Sequence, residues 1–500
     1  MATASDHPVV TTTTGPVRGR ELAGGVVRFL GIPYAAAPFG PNRMQPPQPA
    51  DTWVEPRDCA EFAATVPKGD YPPHFAPLFA EVTIDGDECL NVNVWSPGLD
   101  GAHPVLVWIH GGSFMNGSNS VAEYDGAAFA RDGVVLVSIN YRLAAEGFLY
   151  LGDGVANLGL QDQVAALRWV HENIASFGGD PDQVTVAGES AGAMSVSTLL
   201  TMSSARGLFT RAITQSGATA HTITPEQGLM VSRFLAESLG VEPTRAAIAG
   251  VDLDTLIAAA SDLVTEVQTS PDPAKWGPLA MSLLPFAPVI DGDVLTRHPL
   301  EAMADGAGSD VTVLTGSTRD EARLFLVAPQ TIDLIDEPTF TATAQAYGLD
   351  QQAIETYARN RPDASPGDLV AAVVTDWFFG IPALRVAETR ARVGGAPTWV
   401  YRFDYPDPAD NGGYGSAHAA EIPFVFDTLH EKTVAPRLGD HPSQAVADAA
   451  HRVWVDFVTT GSPGWTSYDL NARHVGLITD IVADVSDPTK DEREAWESVR

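Results

Sequence analysis

Cysteine is nearly missing from this chain: Cys59 and Cys89 are the only two in 500 residues. One disulfide is the most they can form, which excludes a disulfide-framed scaffold, and their spacing fits no common zinc motif. Basic residues are scarce too, 30 against 63 acidic, for a formal charge of −33. With no basic run and no basic–aromatic interleaving, nucleic acid and anionic membranes are excluded as partners. The chain also lacks an uninterrupted apolar stretch long enough to span a bilayer. Its start, Met1-Ala-Thr-Ala-Ser-Asp-His-Pro, has no basic segment followed by an apolar run. A cytoplasmic location is the expectation.

What remains is ample for a large soluble core: 45% apolar and 19% charged residues. Val105-Leu-Val-Trp-Ile109, Val134-Val-Leu-Val-Ser-Ile139 and Val311-Thr-Val-Leu-Thr-Gly316 are runs of the kind buried on both faces of a mostly parallel sheet. Cys89–Trp95, Leu208–Ile213 and Thr398–Phe403 read as further strands, and residues 15–34 as a strand pair turning at Gly24-Gly25. The Pro-rich stretches 38–49 and 67–77 must be irregular. Leu160, Val164, Leu167, Val170 and Ile174 recur at helical spacing, with Asp162 and His171 placed to suit the helix dipole. Residues 225–265, 338–395 and 445–459 are helical. Strands alternate with helices to the end, so the reading is one α/β domain over 1–500 with helical insertions around 222–285 and 328–395.

One stretch organises the chemistry: Val184-Thr-Val-Ala-Gly188-Glu-Ser190-Ala-Gly192-Ala-Met-Ser-Val196. A β-branched run passes through Gly-x-Ser-x-Gly into a helix-compatible segment, which is the context of a nucleophile elbow. A serine on such a turn crowds its neighbours two residues away, where only glycine fits comfortably. Its hydroxyl needs a base, the base needs an orienting group, and the tetrahedral intermediate needs an oxyanion hole. Chain order in this fold class sets acid and base after Ser190, which sets aside His7, His74, His103, His110 and His171. Of the later histidines, His418 lies in a Gly-rich loop, Gly412-Gly-Tyr-Gly-Ser-Ala-His418, following a strand. His221, His298, His430, His441 and His451 lie in helical or Pro-flanked contexts. Asp320 and Glu321 both follow the 311–316 strand, and order alone does not choose between them. Oxyanion donors fit the backbone of Ala191 and of the His110-Gly111-Gly112-Ser113-Phe114 loop.

These motifs closely resemble the type B carboxylesterases, the family of bacterial para-nitrobenzyl esterases and acetylcholinesterase, along nearly the whole chain. The matching stretches are Phe29–Ala35, Asp87–Val94, Trp108–Phe114, Asn140–Arg142, Asn157–Gln163, Phe177–Pro181, Gly188–Gly192, Gln215–Gly217, Gly316–Glu321 and His418–Phe424. The resemblance implies an α/β-hydrolase fold and a serine carboxylesterase that needs no metal or organic cofactor. It places the triad at Ser190, Glu321 and His418, and the oxyanion donors at Gly112, Ser113 and Ala191. Ser216 then supports the acid from behind, and Glu189 is structural. Ser113 stands where the family often has Gly or Ala, and the order Asp87-Glu88-Cys89 inverts the usual one. The family's disulfide partner for Cys89 would fall near Val66, which speaks against a Cys59–Cys89 bridge.

A non-catalytic binding protein of the same fold loses the nucleophile, whereas every triad position is filled here. Amide cleavage by the same triad stays open. Phe114 and the adjacent Trp377, Phe378 and Phe379 are candidate pocket residues, and Tyr71, Phe75 and Phe79, spaced four apart, are candidate rim residues. Together they favour neutral short-to-medium-chain and aromatic esters. The expected partner is a small-molecule ester, and the expected state a monomer.

Overall fold

The computed structural model describes residues 7–79 and 81–499. Eleven strands form its main sheet: Arg20–Glu21 (β1), Val27–Pro33 (β2), Asn91–Ser96 (β3), His103–Ile109 (β4), Val135–Ile139 (β5), Gly179–Glu189 (β6), Arg211–Gln215 (β7), Thr312–Thr318 (β8), Thr398–Phe403 (β9), His474–Ile478 (β10) and Val482–Ser486 (β11). Their order across the sheet is β11-β10-β9-β8-β7-β6-β4-β5-β3-β2-β1. Strands β4 to β10 are mutually parallel. Antiparallel pairing is confined to the two flanks.

Alternation along the strands explains why their sequences are continuously apolar. In β4, Val105, Val107 and Ile109 enter one core while Leu106 and Trp108 enter the other. Helices Leu158–Asn173 (α1) and Ala191–Leu199 (α2) cover the first face. The second is covered by Ile422–Val425 and by the helix Gln444–Thr460, which places Val446, Ala450, Val453, Trp454 and Phe457 inward at helical spacing.

Three expectations need adjustment. The strand expected at Leu208–Ile213 begins only at Arg211: the Leu208 N–H is spent on the Ala205 carbonyl in a turn, and pairing with β6 and β8 starts at Arg211. Asp162 serves a buried ion pair instead of the helix dipole. Its two oxygens accept from Arg142 Nε at 2.8 Å and Nη2 at 2.7 Å, and one also takes the Arg142 N–H. The helical run Pro366–Val393 is long and apolar enough to cross a membrane by length and composition, a run hidden from the sequence reading by Asp376 at its centre. Here 56% of its most apolar window is buried inside the protein. Cys59 and Cys89 are both buried and unbridged.

Because β4 to β10 point the same way, their C-terminal ends share one edge. β4 runs into Gly111, β6 into Ser190, β7 into Ser216, β8 into Glu321, and the chain after β9 leads to His418. In open parallel sheets that edge is where ligands bind.

Candidate active site

The elbow is built by the absence of side chains. Ser190 sits at φ 54° and ψ −124°, between β6 and α2. A Cβ on Gly192 would lie 2.0 Å from the Ile109 carbonyl oxygen, and one on Gly188 would lie 2.5 Å from the Gly192 carbonyl carbon. No larger residue lets β6, the elbow and the end of β4 approach this closely. The turn is held at both ends: the Ser190 N–H donates to Gln215 O at 2.9 Å, and its carbonyl accepts from Met194 N at 2.9 Å. Helix α2 begins at Ala191, so its first N–H groups are free of intrahelical acceptors beside the hydroxyl.

The loop after β4 meets the elbow at Gly111, where a Cβ would come within 3.0 Å of Ser190 Cβ. Beyond it, Gly112, Ser113 and Phe114 all have positive φ, at 106°, 57° and 60°. Two non-glycine residues in that region cost about 1–3 kcal/mol each, so the loop persists only where its surroundings dictate it. Ser113 adopts this backbone although it carries a side chain.

Glu321 and His418 meet across 97 residues of sequence. His418 Nδ1 lies 2.6 Å from Glu321 Oε2, while Glu321 Oε1 accepts from Thr318 N at 2.7 Å. Glu321 is fully buried; Ser190 and His418 keep 8% and 7% exposure, enough for a substrate to touch them. Asp320 faces elsewhere: its carboxylate binds Arg319 at 2.8 Å and takes the Ser416 N–H at 3.0 Å. Ser216 follows β7 at φ 53°, its N–H on Gly316 O, and its hydroxyl has no hydrogen-bond partner among the described residues.

Glu189, expected to be only structural, stands closer to the chemistry. Its Oε1 lies 3.3 Å from His418 Nε2. Glu421 completes a buried trio of carboxyl groups, hydrogen-bonded by Gln215 Nε2 at 3.2 Å, which in turn is held by Trp454. Burial pushes Glu189 up to about 8, against the pull of His418, and pushes Glu421 up to about 7. On His418, burial disfavours the imidazolium, but Glu189 and Glu321 outweigh it and raise the group to about 9. Each proton taken by Glu189 weakens that push, so Glu189, Glu421 and His418 titrate together.

The aromatic candidates separate by location. Phe379 lies 4.8 Å from the His418 ring. Phe378 stacks on His221 at 4.5 Å, with its carbonyl 2.8 Å from His221 Nε2. Trp377 instead packs against Tyr347 and Trp496, and Phe114 is buried against Phe148. Phe114 fills a core position, the commoner fate of a large ring, and Trp377 packs half-buried against a separate cluster. The turn Asp376–Gly380 is π-helical, and this is what aims neighbouring rings in different directions. Phe75 and Phe79 pack beside Leu78, Leu324 and Ala417, and Tyr71 lies 5.4 Å from Phe79. The sequence reading missed Phe325, which is 39% exposed and 5.4 Å from His418. Its signal was its place four residues after Glu321, in the middle of the short helix Arg323–Val327.

A serine elbow at the C-terminal edge of a parallel sheet, beside a buried His–Glu pair, is the geometry of an α/β hydrolase acting through an activated hydroxyl. Within that class the chain belongs to the carboxylesterase family, whose profile matches residues 6–497, and it is a carboxylic ester hydrolase. The para-nitrobenzyl esterase of Bacillus subtilis (strain 168) is 35% identical over 98% of both chains. The phenmedipham hydrolase of Pseudarthrobacter oxydans is 36% identical over 96% of this chain and 97% of its own. Among solved structures, a Geobacillus stearothermophilus carboxylesterase superposes with a TM-score of 0.85 at 36% identity, covering 98% of this chain and all of the other.

Proposed function

We propose that Ser190 is the nucleophile, His418 the general base and acid, and Glu321 the group that fixes the imidazole tautomer. The observation that carries this is the 2.6 Å contact between His418 Nδ1 and Glu321 Oε2 beside the Ser190 elbow. His418 Nε2 turns from Glu189 to the Ser190 hydroxyl as substrate enters, and takes its proton while Oγ attacks the ester carbonyl. The N–H groups of Gly112, Ser113 and Ala191 receive the oxyanion. His418 returns the proton to the leaving alcohol. Water, deprotonated by the same nitrogen, then cleaves the acyl-enzyme and frees the acid. Every group invoked comes from one chain, which fits a monomer as the working unit.

The preferred substrates are neutral esters with aromatic or short-to-medium aliphatic parts. Phe379 and Phe325 flank His418, and Phe75 extends the apolar wall, its ring 6.0 Å from Phe325. The nearby cations are already matched: Arg323 with Asp368, Arg437 with Glu123, and Lys68 with Glu81. The name of the para-nitrobenzyl esterase points the same way.

The test compares kcat/KM for a neutral aromatic diester with its anionic monoester, in wild type and Ser190→Ala. The neutral ester should be favoured at least ~10-fold, about 1.4 kcal/mol. Ser190→Ala should remove nearly all turnover of both. Equal or better turnover of the anion refutes the substrate reading, and an active Ser190→Ala enzyme refutes the mechanism.

A further inference from the structure

The strained loop after β4 is pinned at three places. Tyr141 Oη donates to His110 O at 2.9 Å, and Ala144 N donates to Phe114 O at 2.7 Å. These hold the first part of the loop to the segment after β5. The far part, Asn116-Gly117, is held by something different. Asn116 Nδ2 donates to Gly69 O at 2.7 Å and to Glu81 Oε2 at 3.2 Å, and the Gly117 N–H reaches the same Glu81 oxygen at 3.4 Å. The other Glu81 oxygen lies 3.2 Å from Lys68 Nζ, whose side chain is only 1% exposed. Lys68 Nζ also donates to Val82 O at 2.8 Å.

We propose that the Lys68–Glu81 ion pair is a positioning device for catalysis: it clamps the chain at Lys68, Gly69 and Glu81 onto Asn116-Gly117 and so fixes the aim of the Gly112 and Ser113 N–H groups. This rests on the assignment of those two residues as oxyanion donors. Gly112, Ser113 and Phe114 all lie at positive φ, so the loop needs external contacts to stay in place. The carbonyl of Gly112 accepts from both Met115 N and Asn116 N at 2.9 Å. A shift of Asn116 is therefore passed straight to the Gly112–Ser113 peptide. A charged acceptor binds backbone N–H groups about twice as strongly as a neutral one, which is why a carboxylate suits this position. Burial of Lys68 disfavours its ammonium form and lowers its pKa, and Glu81 offsets part of that cost.

The pair touches no reacting atom, and oxyanion contacts tighten only as charge develops on the carbonyl oxygen. Its loss should therefore lower kcat and leave KM alone. The experiment uses Glu81→Gln and the double variant Lys68→Met/Glu81→Gln, which leaves neither charge unpaired and so protects the fold. Four quantities are measured for a neutral aryl ester system: kcat, KM, and the inhibition constants of an aryl trifluoromethyl ketone and of the matching uncharged amide. The ketone adds Ser190 Oγ to its carbonyl carbon, moves the hydroxyl proton to His418 and leaves an oxyanion in the hole; the amide only occupies the pocket.

Both variants should lose roughly 10- to 100-fold in kcat and the same factor in ketone affinity, with KM and amide affinity within about twofold of wild type. The proposal is overturned if kcat is unchanged in either variant. It is also overturned if KM and amide affinity account for the whole loss, which would make the pair a pocket wall. A double variant with wild-type kcat would mean that only the unpaired charge mattered, and overturns it as well. Failure of the underlying assignment looks different: wild-type enzyme would then bind the ketone no better than the amide.

Discussion

Glu189→Gln is the sharpest probe of the site's electrostatics. The carboxylate lies 3.3 Å from His418 Nε2. At that distance, and with an effective dielectric of about 20, a full charge pair interacts by about 5 kcal/mol, or roughly 3–4 pKa units. Glu189 is itself pushed up to about 8, so it is largely protonated near neutrality and exerts only part of that force. A net effect of about 1–2 units on His418 is the magnitude to expect. The sign is fixed by the role of the imidazole. As a base it must be neutral, and Glu189 holds it above its usual value, so activity falls as pH drops through that raised value. Removing the carboxylate lowers the His418 pKa and moves the acid limb of the kcat/KM profile to lower pH. The measurement is kcat/KM for a neutral chromogenic ester across roughly pH 5 to 10, in wild type and variant, because that ratio reports the free enzyme. An acid limb that stays put, or moves upward, refutes the idea that Glu189 tunes His418.

Glu321→Gln should cost roughly 10²- to 10⁴-fold in kcat, and Asp320→Asn less than about tenfold, since of these two carboxylates Glu321 is the one that touches His418; steady-state assays of both variants check this. Asp162→Asn strands the buried Arg142 guanidinium and should destabilise the fold by about 3–5 kcal/mol, read from urea midpoints. Phe379→Ala should lower kcat/KM for aryl esters about tenfold, roughly 1.4 kcal/mol, and hardly affect acetate esters of small alcohols.

The fold was largely legible because its strands declare themselves. A run such as Val105–Ile109 with no polar alternation suits burial on both faces, and the Gly-x-Ser-x-Gly spacing records a steric demand that the Gly188 and Gly192 contacts make explicit. Ser190 and His418 stood out for a similar reason, each following a strand whose pattern is clear, whereas the preference for Glu321 over Asp320 came from the family resemblance and not from the strand pattern. Charge relations across the chain could not be read. Nothing in the spacing of Glu189, Glu421 and His418 places them in one buried volume, nor pairs Asp162 with Arg142. Aromatic roles were half legible. Adjacent rings in Asp376–Gly380 read as one pocket wall, but the π turn sends Phe379 towards His418 and Trp377 into a separate cluster.

The order of strands across the sheet also governs how the protein is made. Ser190, Glu321 and His418 follow β6, β8 and β9, and β7 lies between the first two of these. The strand that leads to Glu321 pairs with β7, so it needs β7 in place, and parallel neighbours are joined by long crossovers that close slowly. Glu321 and His418 are 97 positions apart, and the chain between them must also be threaded before their side chains meet. Helices such as α1 and α2 can form far earlier, from local contacts. A refolding chain should therefore regain its helical signal while still inert, and ester hydrolysis should return only when the last of these strands has locked.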